Sequence, residues 1–180
     1  AYYRMLGGTL QAGQLSVTGS GYGLNSAVAD FVNGVVTVGS NTVAGGWLIW
    51  GWAGGSGVMN VYDATVVAPT ANDATMAYLA GRNSVGMLNL LGSGGLVNCT
   101  GYGTQRGFDL ARSAGNLLSV INLNAGTLLA NRVRAGVTGT PSYLNFNGGT
   151  LKANAGTSYN TTFLQGLTAA PVYRGCAVID

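Results

Sequence analysis

One short block recurs six times along this chain, and that repetition constrains the fold more than any other feature. It reads GGTLQA at 7–12, NGVVTV at 33–38, DATVVA at 63–68, GGLVNC at 94–99, AGTLLA at 125–130 and GGTLKA at 148–153. Its third residues are Thr9, Val35, Thr65, Leu96, Thr127 and Thr150, at intervals of 26, 30, 31, 31 and 23 residues. A second block precedes the last five copies: VADF at 28–31, VMNV at 58–61, MLNL at 87–90, VINL at 120–123 and YLNF at 143–146. A third lies ahead of that one: LIWG at 48–51, YLAG at 78–81, DLAR at 109–112 and RVRA at 132–135.

Each unit therefore reads as three short strands separated by Gly, Ser and Asn turns, which supply the positive φ that tight turns need. The blocks alternate apolar and variable residues with period two, the signature of strands. A single unit cannot bury its own apolar face, whereas stacked units share one core. The expected fold is all-β: a parallel β-helix, or solenoid, of about six coils of three short strands, spaced about 4.8 Å apart. It spans 1–180 as one domain, with 1–27 its least regular coil.

Aligning the units sorts side chains into columns. Met59, Leu88, Ile121 and Leu144 share an inward column, as do Val61, Leu90, Leu123 and Phe146. Between them runs an outward column of Asp30, Asn60, Asn89, Asn122 and Asn145. In the first block Leu10, Val36, Val66, Val97, Leu128 and Leu151 point inward. So does a smaller column of Ala12, Val38, Ala68, Cys99, Ala130 and Ala153. In the third block the alternation assigns Ile49, Leu79, Leu110 and Val133 inward, and Leu48, Trp50, Tyr78, Asp109, Arg132 and Arg134 outward.

The phrases LNFNGGTLKAN, INLNAGTLLAN, FLQGL and the closing AVID resemble the autotransporter-associated β-strand repeats of very large bacterial surface proteins. The resemblance covers most of 28–180. It implies a secreted or surface-displayed, right-handed β-helical passenger, and it carries over no catalytic residues. The chain departs from the pattern by a two-residue insertion in the GGLVNC unit, by the Trp-rich segment 47–52, and by Gly175-Cys176 where Gly-Gly would be usual.

Composition narrows the chemistry further. There is no His and no Glu, so His-based triads, His metal sites and Glu acid/base pairs are excluded. Charged residues are 7% of the chain, against about 25% in an average soluble domain. The net charge of +3 is scattered, which argues against nucleic acid or an anionic membrane surface as partner. No apolar run reaches the roughly 18 residues of a membrane span. The sequence opens on AYYRML and closes on CAVID without polar caps, and reads as a piece of a longer chain.

The candidate sites are few. Trp50, Trp52 and Tyr78 form a candidate outward aromatic patch, able to stack on sugar rings or to anchor another subunit. Asp30, Asn60, Asn89, Asn122 and Asn145 form a candidate polar ladder of stacked amides. Asn98 and Asn160 head Asn-x-Thr sequons and are candidate glycosylation sites. Cys99 shares a column with Ala and is expected to be buried; an inter-coil disulfide with Cys176 is the alternative. Asp109, Arg112, Arg132 and Arg134 are the one charged group near enough in sequence for a polysaccharide-active site.

The sequence thus points to a non-enzymatic extracellular or cell-surface module without cofactor or metal. Its expected partners are other copies of itself, or the rest of a longer chain, stacked end to end. A carbohydrate-binding β-helix, or less readily a polysaccharide-active one, is the alternative, with glycans as partners.

Overall fold

The computed structural model describes residues 1–17, 25–39, 47–51, 54–68, 76–80, 83–100, 108–111, 115–137, 139–154 and 162–180, the side chains of 47 and 76–80 excepted. Strands β1 (Tyr2–Met5), β2 (Thr9–Ala12) and β3 (Leu15–Ser16) open the fold. Then come β4 (Ser26–Val38) with β5 (Trp47–Ile49), and β6 (Ser56–Val67) with β7 (Met76–Ala80). Next are β8 (Val85–Leu90), β9 (Leu96–Cys99) and β10 (Phe108–Ala111), followed by β11 (Leu118–Leu123), β12 (Thr127–Ala130) and β13 (Val133–Arg134). Last are β14 (Ser142–Phe146), β15 (Thr150–Ala153), β16 (Leu164–Gln165) and β17 (Val178–Ile179).

These strands make an 11-stranded sheet and a 6-stranded sheet, the latter in the order β16-β13-β10-β7-β5-β3. Every strand pair among the described residues is parallel, and none of those residues is helical. This is the expected β-solenoid. It has about 4 turns rather than six coils. The outermost strands do not enclose core: β1 is exposed except at Met5, and both residues of β17 are exposed.

The first two blocks run on as one long strand in β4 and β6, and separate in later coils. The insertion is plain in the register. Val61 pairs with Leu90 and Thr65 with Leu96, so residues 62–64 on β6 face the five residues 91–95. Asp63 reaches into this wider corner, its Oδ1 accepting from the Gly94 amide at 3.0 Å. Segment 1–27 supplies three strands in register, with Tyr2 on Val28, Thr9 on Val35 and Leu15 on Leu48.

The inward columns of the first two blocks keep the expected register and are buried in the interior coils, while at the end coils Leu10 and Ala12 are only half-buried and Ala153 is exposed, because no further coil covers them. Met59, Val61, Leu88, Leu90, Ile121, Leu123 and Leu144 are inaccessible to solvent, as are Val36, Val66, Val97, Leu128 and Leu151. Each such aliphatic side chain contributes about 1.5–3 kcal/mol relative to exposure. Cys99 lies with Ala68 and Ala130 in the core, as its column requires. A narrow inward column of Gly57, Gly86, Ser119 and Ser142 runs along the sheet margin. Both serines are buried and satisfied, Ser119 Oγ donating to Leu110 O at 2.6 Å and Ser142 Oγ to Thr140 O at 3.1 Å.

The third block has a different register from the one expected. Leu48 pairs with Ala77, Ala77 with Phe108, and Phe108 with Val133. Leu48, Phe108, Leu110 and Val133 belong to the core, and so does Trp50. Ile49 stands instead in the outward column, with Tyr78, Asp109 and Arg134. It is nonetheless only 2% exposed, and β10 is buried along its whole length. A strand covered on both faces carries apolar residues at consecutive positions, so the alternation that fixes phase elsewhere is missing.

Gly175-Cys176 also needs a shift of one. Thr150 pairs with Val178, which sets Cys176-Ala177, not Gly175-Cys176, against Gly148-Gly149. Cys176 accordingly takes a left-handed conformation at φ 67, in the position where Gly148 has φ 111.

Candidate functional site

Outward side chains on the second-block strands recur once per coil, so like residues are brought into van der Waals reach by the strand spacing alone. In the column Asp30–Asn60–Asn89–Asn122–Asn145 this produces a continuous hydrogen-bonded ladder. Asn60 Nδ2 donates to Asp30 Oδ1 at 2.8 Å. Asn89 donates to Asn60, Asn122 to Asn89, and Asn145 to Asn122, each at 2.7 Å. All four bonds point the same way, toward the N-terminal coils.

The residues at the two ends of this column explain its direction. Asp30 can only accept, and it takes two bonds, the second from the Tyr2 hydroxyl to Oδ2 at 2.7 Å. The exposed Tyr2 phenol is raised above its ordinary pKa, chiefly because ionisation would forfeit that bond to a carboxylate. At the other end, the bridges Tyr143–Ala169 and Phe146–Val172 bring Pro171 opposite Asn145. Proline offers no side-chain donor, and the ladder stops there.

Two shorter ladders flank the strand corners. Asn147 Nδ2 donates to Asn124 Oδ1 at 3.3 Å, and Asn154 Nδ2 to Asn131 Oδ1 at 2.8 Å. Asn131 in turn donates to Thr100 O at 3.2 Å. Sequence reasoning missed both. The usable signal was their separation of 23 residues, the same as between Asn122 and Asn145.

The aromatic patch is not assembled as expected. Trp50 is wholly buried, its ring 5.3 Å from that of Phe108 on the inner face of the six-stranded sheet, and its Nε1 has no hydrogen-bond partner among the described residues. It lies two residues from the inward Leu48, and so points the same way. Trp52 and the Tyr78 side chain lie outside the described residues. Asn98 is half-buried on the outward side of β9, its Oδ1 accepting from the Thr100 amide at 3.0 Å and hydroxyl at 2.7 Å. Asn160 lies outside the described residues.

The charged group resolves into an ion pair. Arg134 Nε donates to Asp109 Oδ1 at 2.5 Å and its Nη2 to Oδ2 at 3.2 Å, a two-pronged contact over a carboxylate only 2% exposed. That bond holds the Arg134 guanidinium above its usual pKa. Arg132 is half-buried, and Arg112 is outside the described residues. Asp109 is thus committed to Arg134 rather than presented to a substrate. Among the described residues no three His, Cys, Asp or Glu side chains gather as a metal site. Cys99 and Cys176 are both free thiols, one buried and one exposed, so the disulfide alternative is not realised.

The ladder therefore offers an axial row of amides. Each interior member spends one N–H and one lone pair on its neighbours and keeps one of each for solvent. A second feature lies at the end of the solenoid. Tyr2, Tyr3, Leu10, Leu15, Ala29 and Phe31 line a pocket of about 290 Å³ that opens onto the core. No family model, curated protein or solved structure matches this chain.

Proposed function

We propose that this chain is a non-enzymatic, extracellular or cell-surface structural module whose core continues across its ends into further β-solenoid coils. Those coils belong to the same polypeptide or to a second copy stacked head to tail. The observation that carries this reading is the exposure of apolar side chains at both extremities of the stack. Tyr2, Tyr3 and Leu6 are 63%, 48% and 66% exposed at one end, and Val172, Tyr173, Val178 and Ile179 are 60%, 55%, 49% and 62% exposed at the other. Solenoids that stand alone in water carry polar end caps instead.

Unpaired strand edges at these ends are templates for further strands. Contact between unlike ends is heterologous and need not close, so copies would build a filament. A surface with 7% charged residues opposes such association only weakly. Extracellular placement rests on the repeat resemblance. A carbohydrate-binding role is the weaker reading, since Trp50 is withdrawn into the core.

The test is sedimentation and electron microscopy of the native material against paired variants. Leu6→Lys with Ile179→Lys should abolish end-to-end association, while Thr65→Lys on the flank should leave it intact. A dilute, stable monomer with both ends bare to water overturns the proposal.

A further inference from the structure

Two dipeptides in the chain read Asn-Gly: Asn33-Gly34 and Asn147-Gly148. Both lie where the second block passes into the first, Asn33-Gly34 inside β4 and Asn147-Gly148 in the turn between β14 and β15, yet the fold holds them in opposite ways. Asn147 is engaged on both sides, its Nδ2 donating to Asn124 Oδ1 at 3.3 Å and its Oδ1 accepting from the Gly175 amide at 3.1 Å. The Gly148 amide is occupied too, donating to Cys176 O at 3.0 Å. Both asparagines are exposed, but the Asn33 Oδ1 accepts from the amide of Gly34 itself at 2.7 Å. Among the described residues its side chain has no other partner. The Gly34 nitrogen and the side-chain amide of Asn33 are therefore kept beside each other.

The glycine is not replaceable. A Cβ on Gly34 would stand 2.4 Å from Gly8 O, and its φ is +98. The stack thus obliges the least hindered residue to follow an exposed asparagine.

We infer that Asn33 is a site of spontaneous conversion to aspartate and isoaspartate in the folded protein, and that Asn147 is protected by its neighbours. The Gly34 amide gives its proton to solvent base and its nitrogen bonds to Cγ of Asn33. The Cγ–Nδ2 bond breaks, and Nδ2 leaves as ammonia with a proton from water. Water then adds to either carbonyl carbon of the five-membered imide, and one C–N bond opens. Attack at the side-chain carbonyl leaves aspartate; attack at the backbone carbonyl leaves isoaspartate. Water is the only co-reactant, and nothing is oxidised or reduced.

The product has a defined place. Asn33 is in register with Asp63 on β6, so the new carboxylate faces a carboxylate one coil away. The isoaspartate form also adds a backbone carbon to β4, between the half that bears the ladder and the half that packs the first-block core.

The experiment incubates the folded protein in mildly alkaline buffer and localises the amide-to-acid mass gain by fragmentation of proteolytic peptides. Position 33 should convert faster than position 147 by on the order of tenfold or more. In concentrated urea the two rates should converge. Asn124→Ala, which removes the acceptor of Asn147, should speed conversion at 147 and leave 33 unchanged. Equal native rates at the two positions overturn the inference. So does a native position 33 that stays intact while the unfolded chain converts there.

Discussion

Asn122 stands in the middle of the ladder and satisfies a neighbour on each side, donating to Asn89 and accepting from Asn145. Asn122→Ala removes both bonds and leaves a half-buried donor and acceptor unpaired, at a cost of about 1–3 kcal/mol. Asn145→Ala removes one bond and should cost about 0.5–1.5 kcal/mol. Urea unfolding midpoints measure the difference, and equal costs would mean that water replaces the ladder bonds without loss. Cys99 gives a second test. Burial pushes its thiol well above the ordinary range, so the folded protein keeps a proton that the unfolded chain releases. That contribution is complete below the unfolded thiol value of about 8.5 and is lost as pH rises beyond it. Cys99→Ala matches Ala68 and Ala130 in the same column, and should flatten the alkaline decline in stability seen by urea titration. An unchanged decline would place its origin elsewhere.

Corners set the spacing of the strands, and they do so with backbone packed on backbone. A Cβ on Gly95 would lie 2.3 Å from Tyr62 O, whereas one on Gly7 meets nothing within 4 Å. Gly95→Ala should therefore destabilise by about 1–3 kcal/mol, and Gly7→Ala by no more than about 0.5 kcal/mol, both read by thermal unfolding. Equal effects would show that the wide corner at 91–95 yields freely. The same elements show where the fold was legible. In the second block an Asn separates each pair of apolar residues, and this polar mark fixed the phase: every column of β6, β8, β11 and β14 was read correctly. Residues 47–50, Trp-Leu-Ile-Trp, carry no such mark, and Leu48, Ile49 and Trp50 were assigned to the wrong faces. Asp109 looked like an outward charge, but its column is covered, and only the contact with Arg134 explains a buried carboxylate there. The corner ladders escaped notice because Asn124 and Asn131 fall in turns, where Asn is expected for its backbone habits alone.

Each coil pairs its strands only with those of its two neighbours, so stability should be graded along the stack rather than uniform. Amide hydrogens of Val85–Leu90 and Leu118–Leu123 should exchange slowest, and those of Tyr2–Met5 and Val178–Ile179 fastest, in a native-state exchange experiment at low protein concentration. Raising the concentration should slow exchange at the two ends alone if copies stack. Uniform protection at all dilutions would mean the molecule opens only as a whole. The one-way ladder adds a rule about length. Its acceptor-only residue stands at the first position, Asp30; Asn60, Asn89 and Asn122 both give and take, and the last member, Asn145, gives. Any coil bearing Asn at this place can be inserted or excised without leaving a mismatch: were the coil that carries Asn89 lost, Asn122 would come to rest on Asn60 with the same bond. A gene coding for such coils can lengthen or shorten by whole units through unequal duplication, and the protein absorbs the change as reach rather than as damage.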